Sequence, residues 1–458
     1  MANTDQKPNV ILINCDDLGY GDLGCYGSGV HNTPFLDQMA RDGTRLTDFY
    51  MAAPVCSPSR GAMMTGCYPR RVGFGTFDNG AAVLFPGHGT GLHPDETTIG
   101  DLLKEQGYAT KIVGKWHCGD QPQHLPTKHG FDSYYGLPYS NDMGRQAGGR
   151  EEGPPLPLLR DDEVIELQPD QSGITERYVE ECVRFIRDNK NNPFFLYFAH
   201  MHVHLPLYAP ERFLDSSENG RYGATVECID WSVGALMHEI QRLGLEEDTL
   251  MIFTSDNGSR VAEGGSNDPL RGRKGQTWDG GMRVPCIARW PGVIPEGQVC
   301  SELATAMDML PTFAGLAGTE PPDDRIIDGH DIFPLFLGGQ EASSPYDVFY
   351  YYWKDDLEAV RNDRWKLHIS RRRDEVVELY DLREDIGETT NVAEDNPEIV
   401  RKLMDEVENA REDLGDAVVD EEGANCRPAA FVEDAEVLAE YDPDHPYIIA
   451  MYDLPQIG

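Results

Sequence analysis

Asn9-Val10-Ile11-Leu12-Ile13 is a nearly continuous apolar run, which is typical of a strand that is buried on both faces of a parallel sheet. Similar apolar runs occur at residues 109–113, 193–199 and 249–254. Helix-like stretches alternate with them, most clearly at residues 98–106, 174–189 and 224–243. Strands that alternate with helices predict an α/β fold, in which a large, mostly parallel sheet is flanked by helices.

The pattern changes near residue 340. Short strand-like runs at residues 346–352, 358–360, 365–369 and 376–380 are separated by polar turns, and an acidic helix is expected at residues 397–414. These features predict a smaller antiparallel sheet with one helix. Because 458 residues exceed the usual size of a single hydrophobic core, we predict a large α/β domain at residues 1–340 and an α+β subdomain with an acidic tail at residues 341–458.

The chain is strongly acidic, with a formal charge of −40, and only ten of its 39 basic residues are lysines. An acidic, lysine-poor surface suits very high salt, where the repulsion between like charges is screened within a few ångströms. The composition therefore predicts a halophilic protein, with an ordinary acidic mesophile protein as the alternative. The negative charge repels nucleic acids and anionic membranes, so neither is expected as a partner.

The first residues contain neither an apolar signal segment nor a twin arginine, and no stretch is apolar enough for a transmembrane helix. These observations predict a cytoplasmic protein. The ten cysteines include no C-x-x-C pair, which gives no support to a zinc ribbon or a thioredoxin motif. Most of them are expected as small buried side chains.

Acidic side chains follow two of the predicted strands. Asp16 and Asp17 come shortly after the first strand, and Asp256 and Asn257 follow the strand at residues 249–254. Because ligands of open α/β sheets bind beyond the carboxyl ends of the strands, we expect these four side chains to lie close together. Three carboxylates and an amide oxygen suit Ca²⁺ or Mg²⁺ rather than zinc. A solvated acidic turn is the alternative.

Cys56 opens the run Cys56-Ser57-Pro58-Ser59-Arg60, which leads into a short helix-like stretch that ends at Gly66. Because proline suits the first turn of a helix, residue 56 is expected at the helix N-terminus, where free N–H groups favour an anion. Arg60 lies one turn further on the same face and could contact both residue 56 and an anionic ligand. The alternatives are a buried structural cysteine and a cysteine-dependent phosphatase loop; the latter is disfavoured because it has five residues, not three, between cysteine and arginine.

Two lysines and one histidine are further candidates. Lys115 and His117 follow the strand at residues 109–113, and Lys274 lies in a glycine-rich loop. A lysine can neutralise a developing negative charge, and a histidine can move a proton near neutral pH. An ordinary surface loop is the alternative for each of these segments.

His200, His202 and His204 alternate after the strand at residues 193–199. If the strand continued, all three side chains would point to one face, where they could form a zinc site. We instead favour His204 as a contact to the ligand, His202 as its neighbour and His200 as a structural residue.

Together these elements resemble the type I sulfatases of the alkaline phosphatase superfamily, and most closely the arylsulfatase A and galactosamine-6-sulfatase group. The similarity spans most of residues 9–300 and depends on seven segments in the family's order: Asp16-Asp17, Pro54-Val55-Cys56-Ser57-Pro58-Ser59-Arg60, Gly114-Lys115-Trp116-His117, Gly136-Leu137-Pro138-Tyr139-Ser140, His204-Leu205-Pro206, Ser255-Asp256-Asn257-Gly258 and Gly275-Gln276-Thr277-Trp278-Asp279-Gly280-Gly281. Each segment is short, but their joint order is highly specific. Cys67 and Cys118 depart from the family's usual arginine and leucine, and neither departure touches the chemistry.

The resemblance implies that residues 1–340 are the catalytic domain of a sulfuric ester hydrolase. In this family a maturation enzyme oxidises the cysteine at position 56 to Cα-formylglycine, and the hydrated aldehyde is the nucleophile. The resemblance also implies a divalent cation, usually Ca²⁺ with Mg²⁺ as an alternative. Its expected ligands are the formylglycine made from Cys56 together with Asp16, Asp17, Asp256 and Asn257.

The same resemblance implies roles for the remaining residues. Five of them orient the sulfate oxygens: Arg60, Lys115, Ser140, His204 and Lys274. Either Lys274 or His204 protonates the departing alcohol. His117 takes a proton from the second hydroxyl, so that the covalent sulfate is expelled and the aldehyde reforms. A serine or a thiol serves less well because it has no second hydroxyl to drive this expulsion.

The implied substrate is a sulfate monoester, either an aryl sulfate or a sulfated sugar. A phosphonate monoester or phosphodiester hydrolase of the same superfamily is the main alternative, and a non-catalytic protein that binds sulfated glycans is a third. The clustered charges argue against the third, because burying like charges without a ligand or metal is costly. The sequence alone leaves the natural substrate, the oligomeric state and the maturation system open.

Overall fold

The computed structural model describes residues 7–145, 153–339 and 342–440. The strands are β1 Asn9–Cys15, β2 Thr44–Leu46, β3 Phe49–Tyr50, β4 Thr90–Gly91, β5 Ala109–Gly114, β6 Ser133–Gly136, β7 Pro157–Arg160, β8 Glu163–Leu167, β9 Phe194–Ala199, β10 Thr249–Ser255, β11 Cys286–Arg289, β12 Gln298–Cys300, β13 Ala304–Thr305, β14 Phe349–Trp353, β15 Asp356–Arg361, β16 Trp365–Arg371, β17 Asp374–Asp381, β18 Gly415–Asp416, β19 Glu421–Glu422 and β20 Ala430–Phe431. The helices are α1 Pro34–Arg41, α2 Cys56–Thr65, α3 Ile99–Glu105, α4 Ile174–Asp188, α5 Glu211–Ser216, α6 Gly220–Leu243, α7 Asp279–Met282, α8 Met309–Ala317, α9 Phe333–Leu337 and α10 Pro397–Leu414.

A ten-stranded sheet forms the centre of the large domain, in the order β12-β2-β11-β10-β1-β9-β5-β6-β7-β8. The five central strands, from β10 to β6, run parallel to one another. Antiparallel pairs occur only towards the two edges, at β10–β11, β11–β2, β6–β7 and β7–β8. The prediction of a large, mostly parallel sheet is therefore confirmed.

The first strand shows why its apolar run is continuous. Val10 and Leu12 pack into one hydrophobic cluster, while Ile11 and Ile13 pack into another on the opposite face of the sheet. Helices α2, α3 and α8 contribute to the first cluster, and α1, α4 and α6 contribute to the second. Because helices cover both faces, every position of β1 is buried, which explains the four consecutive apolar residues from Val10 to Ile13. Each fully buried apolar side chain of this size contributes about 1.5–3 kcal/mol to folding.

The smaller sheet consists of β14, β15, β16 and β17, paired antiparallel in sequence order, and α10 packs against it. This confirms the predicted antiparallel sheet with one helix. Its core is shared with the large domain, because Leu367 and Val407 belong to the same hydrophobic cluster as Tyr50 and Met282. The domain boundary at residues 340 and 341 stays a prediction, since both residues lie outside the described ranges.

The chain then returns to the large domain. Strand β20 pairs antiparallel with β4, and Arg427 Nε lies 2.6 Å from Glu96 Oε1. The sequence analysis predicts no elements after residue 414, because strands of two residues carry no recognisable pattern. The expectations about the first six residues and the end of the acidic tail fall on residues 1–6 and 441–458, outside the described part. Within that part, no helix combines the length and apolar character needed to cross a membrane.

Candidate active site

The carboxyl ends of the central strands bring the predicted residues to one edge of the sheet. Because these strands run parallel, the residues that follow each of them meet at the same place. These residues are Asp16-Asp17 after β1, Asp256-Asn257 after β10, Lys115 and His117 after β5, His204 after β9, and Ser140 four positions after β6. Cys56 and Arg60 come from α2, and Lys274 comes from the loop between β10 and α7.

Two lysines pair with the carboxylates that follow β1. Lys115 Nζ lies 2.5 Å from Asp16 Oδ2, and Lys274 Nζ lies 2.6 Å from Asp17 Oδ1. Burial on its own would raise the pKa of Asp16, but Lys115 and the other nearby cations outweigh it and hold this pKa well below its usual range. Asp16 is therefore ionised at neutral pH, inside a buried site.

Three buried oxygen atoms here have no hydrogen-bond partner among the described residues: Asp16 Oδ1, Asp17 Oδ2 and Asn257 Oδ1. Buried polar atoms are normally paired, so a cluster of unpaired oxygens marks a place for a positively charged ligand. Asp16, Asp17, Cys56 and His204 offer ligand atoms that all lie within 4.8 Å of one another. Carboxylate and amide oxygens are the donors that a hard divalent cation prefers, so the residues fit such an ion.

Asp256 lies beside this group, but its carboxylate is already engaged. Its Oδ2 accepts a 2.8 Å hydrogen bond from Arg60 Nε, and its Oδ1 accepts one of 3.2 Å from the Asp17 amide. Burial, and then the charge of Asp16, raise the pKa of Asp256 to about 6. A bound cation would relieve this crowding of negative charge.

Cys56 is the first residue of α2, as predicted, and it is buried. Its Sγ lies 3.4 Å from Lys274 Nζ. Burial raises the pKa of the thiol to about 12, so almost no thiolate exists at neutral pH. Since the thiolate is the reactive form, an unmodified cysteine at this position is a poor nucleophile.

Arg60 is fully buried and ties α2 to the strand ends. Its Nε donates to Asp256 Oδ2, and its Nη1 donates to the Lys115 carbonyl at 2.9 Å. Its Nη2 has no partner in the described residues. One nitrogen of the guanidinium is therefore available to an anionic ligand, while the other two hold the scaffold.

His117 and Ser140 each present an unused polar atom. His117 Nε2 donates to the Leu84 carbonyl at 3.0 Å, which leaves Nδ1 as the proton acceptor, and Nδ1 has no partner. Burial, and then the charge of Lys115, hold the pKa of His117 well below its usual range, so the ring is neutral at pH 7. Within the part of the chain that the structure describes, the buried Ser140 hydroxyl also lacks a partner.

The three alternating histidines have different surroundings. His204 Nε2 lies 3.8 Å from Asp17 Oδ2, whereas His200 Nε2 lies 2.9 Å from the Ser232 hydroxyl. Both ring nitrogens of His202 lack a hydrogen-bond partner. Among the described residues, the group that could hold a metal includes His204 but neither His200 nor His202. The zinc alternative therefore finds no support.

Two contributors to the site carry no sequence signal. Leu84 places His117 through its backbone carbonyl, and its amide donates to Ser57 Oγ at 3.0 Å. Asn141 Oδ1 lies 3.2 Å from His204 Nδ1. A backbone atom can come from any residue type, and Asn141 is recognisable only through its position next to Ser140.

Comparisons with known proteins agree with this geometry. Residues 8–319 match the family model described as Sulfatase, and residues 273–413 match the model described as N-sulphoglucosamine sulphohydrolase, C-terminal. The N-acetylgalactosamine-6-sulfatase of Canis lupus familiaris is 43% identical over 384 residues, which covers 80% of this chain and 72% of the relative. Arylsulfatase A of Homo sapiens is 38% identical over 445 residues, which covers 87% and 86%. The PsFucS1 sulfatase from Pseudoalteromonas sp. has a similar solved structure, with a TM-score of 0.78 at 29% identity over 89% of this chain and 90% of that chain. The chain belongs to the sulfatase family.

Proposed function

We propose that the protein hydrolyses a sulfate monoester of an aryl alcohol or a sugar, with Cα-formylglycine at position 56 and a divalent cation beside it. One observation carries this proposal: unpaired oxygens of Asp16 and Asp17 and the ammonium groups of Lys115 and Lys274 converge around Cys56 in a buried site. The relatives support the two substrate classes, because their names specify an acetylgalactosamine sulfate and an aryl sulfate.

The proposed cation is Ca²⁺, with Mg²⁺ as the alternative, held by Asp16, Asp17, Asp256 and Asn257. When bound, it supplies positive charge that stabilises an oxyanion and lowers the pKa of a coordinated hydroxyl. The unpaired oxygens of Asp16, Asp17 and Asn257 support this assignment, and the ring of His204 lies close enough to contact the same ion.

Residue 56 is the proposed nucleophile, after a maturation enzyme has converted Cys56 to formylglycine. The hydrate of this group supplies one hydroxyl to attack sulfur and a second to regenerate the aldehyde. The position supports such chemistry, because it lies at the N-terminus of α2, where free N–H groups favour negative charge. The raised thiol pKa argues for the modified residue over the cysteine itself.

The remaining groups bind the ester and move protons. Arg60 Nη2, Lys115, Ser140 and His204 orient the sulfate oxygens, and His117 Nδ1 accepts a proton. Two candidates protonate the leaving group. Burial lowers the pKa of Lys274 but Asp17 raises it further, so this side chain keeps its proton; burial and Lys274 lower the pKa of His204. Lys274 therefore carries a proton at neutral pH, but a raised pKa also makes it a weaker acid, and both residues stay candidates for the donor.

A substrate panel tests the proposed activity. We expect kcat/KM for an aryl sulfate to exceed that for the matching phosphate monoester, phosphodiester and phosphonate monoester by at least about tenfold. A tenfold preference corresponds to about 1.4 kcal/mol of extra transition-state stabilisation. All four compounds are measured on one preparation with the same leaving group. Faster turnover of a phosphorus ester would contradict the proposal and favour the phosphonate or phosphodiester hydrolase.

We further propose that the acidic surface is an adaptation to high salt. With a charge of −40, repulsion between carboxylates opposes the folded state until ions screen it. We expect the melting temperature to rise by several degrees between about 0.1 M and about 2 M KCl, where the screening length falls from about 10 Å to a few ångströms. An equal osmolarity of sucrose is the control, and a melting temperature that is the same at both KCl concentrations would contradict the idea.

A further inference from the structure

The loop that carries Lys274 contains little secondary structure of its own. Gly272 and Gly275 adopt φ values of 90° and 80°, in the left-handed region that glycine tolerates best. On one side the large domain holds the loop, since the Lys274 amide donates to the Ser259 carbonyl at 3.0 Å and the Gly275 amide donates to the Pro54 carbonyl at 2.8 Å. The large domain also contacts the end of the loop, where the Tyr50 hydroxyl donates to Asp279 Oδ2 at 2.7 Å.

The smaller sheet holds the other side of this loop. Lys366 Nζ, on β16, donates to the Thr277 carbonyl at 2.9 Å. The Thr277 hydroxyl donates to Glu358 Oε2, on β15, at 2.6 Å. Glu388 accepts a hydrogen bond of 2.9 Å from the Asp279 amide. Residues of the C-terminal part of the chain therefore contact the end of the loop through three hydrogen bonds, two at Thr277 and one at Asp279.

A buried charge cluster anchors this contact. Lys366 Nζ lies 2.8 Å from Asp279 Oδ1 and 2.9 Å from Glu388 Oε1, and all three side chains are fully buried. Charges that are buried this deeply persist only with full pairing, so the cluster allows little freedom of position. The end of the loop at Asp279 is thereby fixed relative to β16.

Arg372 contacts the loop next to Lys274 itself. It lies in the turn between β16 and β17, is exposed, and donates from Nη2 to the Gly275 carbonyl. Its guanidinium stacks 3.5 Å above the ring of Trp353, and the Arg372 amide donates to Glu358 Oε1 at 2.7 Å. A Cβ on Gly275 would lie 3.7 Å from the Trp353 ring, so the ring packs directly on this glycine.

We propose that Arg372 is a positioning residue that acts through Gly275 to hold Lys274 against Cys56 and Asp17. This inference rests on the proposed function. Lysine has a long flexible side chain, so the position of the Lys274 ammonium group depends on its backbone as well as on its ion pair with Asp17. A displacement of about 1 Å at a reacting group can cost about 10²-fold in rate, which makes such a contact matter for catalysis.

The test compares Arg372→Ala with Arg373→Ala. Arg373 is the matched control, because it is exposed in the same turn but pairs with Asp356, at 3.0 Å, instead of the loop. With a small aryl sulfate, we expect Arg372→Ala to lower kcat by about 10- to 100-fold with little change in KM. Arg373→Ala is expected to keep wild-type kcat, and both variants to keep the wild-type melting temperature.

A double-mutant cycle with Lys274→Ala separates positioning from other effects. If Arg372 acts through Lys274, adding Arg372→Ala to Lys274→Ala will cause no further loss of kcat. Independent, multiplying losses would overturn the inference, as would wild-type kcat in Arg372→Ala. A loss confined to larger sulfated glycans would also overturn it, because Arg372 would then contact the substrate directly. Wild-type protein that turns over no sulfate ester would instead refute the proposed function, and this inference with it.

Discussion

Replacing Cys56 with alanine is expected to lower kcat for an aryl sulfate by at least about 10³-fold, the scale seen when a covalent nucleophile is removed. The reason is chemical: alanine cannot be converted to formylglycine, so neither hydroxyl is available. The fold should persist, because the only polar contact of the Cys56 side chain in the described structure is with Lys274 Nζ. We expect the free energy of unfolding to fall by about 1 kcal/mol, as measured by chemical denaturation.

Cys228→Ala is the matched control for this experiment. Cys228 is equally buried but lies on α6, away from the strand ends, so its loss should affect stability alone. Mass spectrometry of the peptide that contains residue 56, isolated from the native host, tests the modification directly. Substantial activity in Cys56→Ala, or an active protein in which residue 56 is entirely unmodified cysteine, would refute the assignment.

Removing divalent cations should abolish turnover and also lower the melting temperature. The carboxylates of Asp16, Asp17 and Asp256 crowd together, and an ion that binds only the folded state stabilises it by mass action. At a free Ca²⁺ concentration of about 100 times Kd, this stabilisation is about 2.7 kcal/mol. The measurements are thermal melting and aryl sulfate turnover after treatment with a chelator, followed by repeats with added Ca²⁺ or Mg²⁺.

Asp17→Asn should remove most of the dependence on cations, because it deletes one negative charge at nearly constant volume. Asp230→Asn is the control: Asp230 is buried on α6, and its Oδ1 alone accepts the hydrogen bonds from the Phe35 and Leu36 amides, so an asparagine can keep both. Burial raises the pKa of Asp230 to about 7, so this substitution removes little charge at neutral pH. An unchanged rise in melting temperature with Ca²⁺ in Asp17→Asn would contradict the proposed metal site.

Much of the architecture could be predicted because burial dictates composition locally. The run at Asn9–Cys15 and the strands at Ala109–Gly114 and Thr249–Ser255 end within two residues of their predicted ends. A strand covered on both faces is mostly apolar, so its pattern is visible without any knowledge of its neighbours. The edge strands β8 and β12 went unpredicted because their exposed residues interrupt any continuous apolar run.

The site residues could be named from the sequence, but not their partners. The order of short segments singled out Asp16, Cys56 and Lys115 because each follows a strand or opens a helix, and Lys274 because it lies in a glycine-rich loop. Arg60 donates to Asp256 and to the Lys115 carbonyl, so its guanidinium does not serve an anionic ligand alone. These contacts depend on how α2 is placed against β10 and β5. Similarly, β9 ends at Ala199, so the histidines that follow do not continue the strand, and His200 and His204 have different partners.

By itself, then, the sequence determined the alternation of strands and helices, the edge at which polar residues gather, and the resemblance that the family match confirms. Only the tertiary structure decided which oxygens remain unpaired, how burial raises the pKa of Cys56, and that β15, β16 and the turn at Arg372 hold the Lys274 loop. The physical reason is separation along the chain. Local patterns record burial and backbone geometry, whereas contacts such as that between Lys274 and Cys56, 218 residues apart, exist only when the fold brings them together.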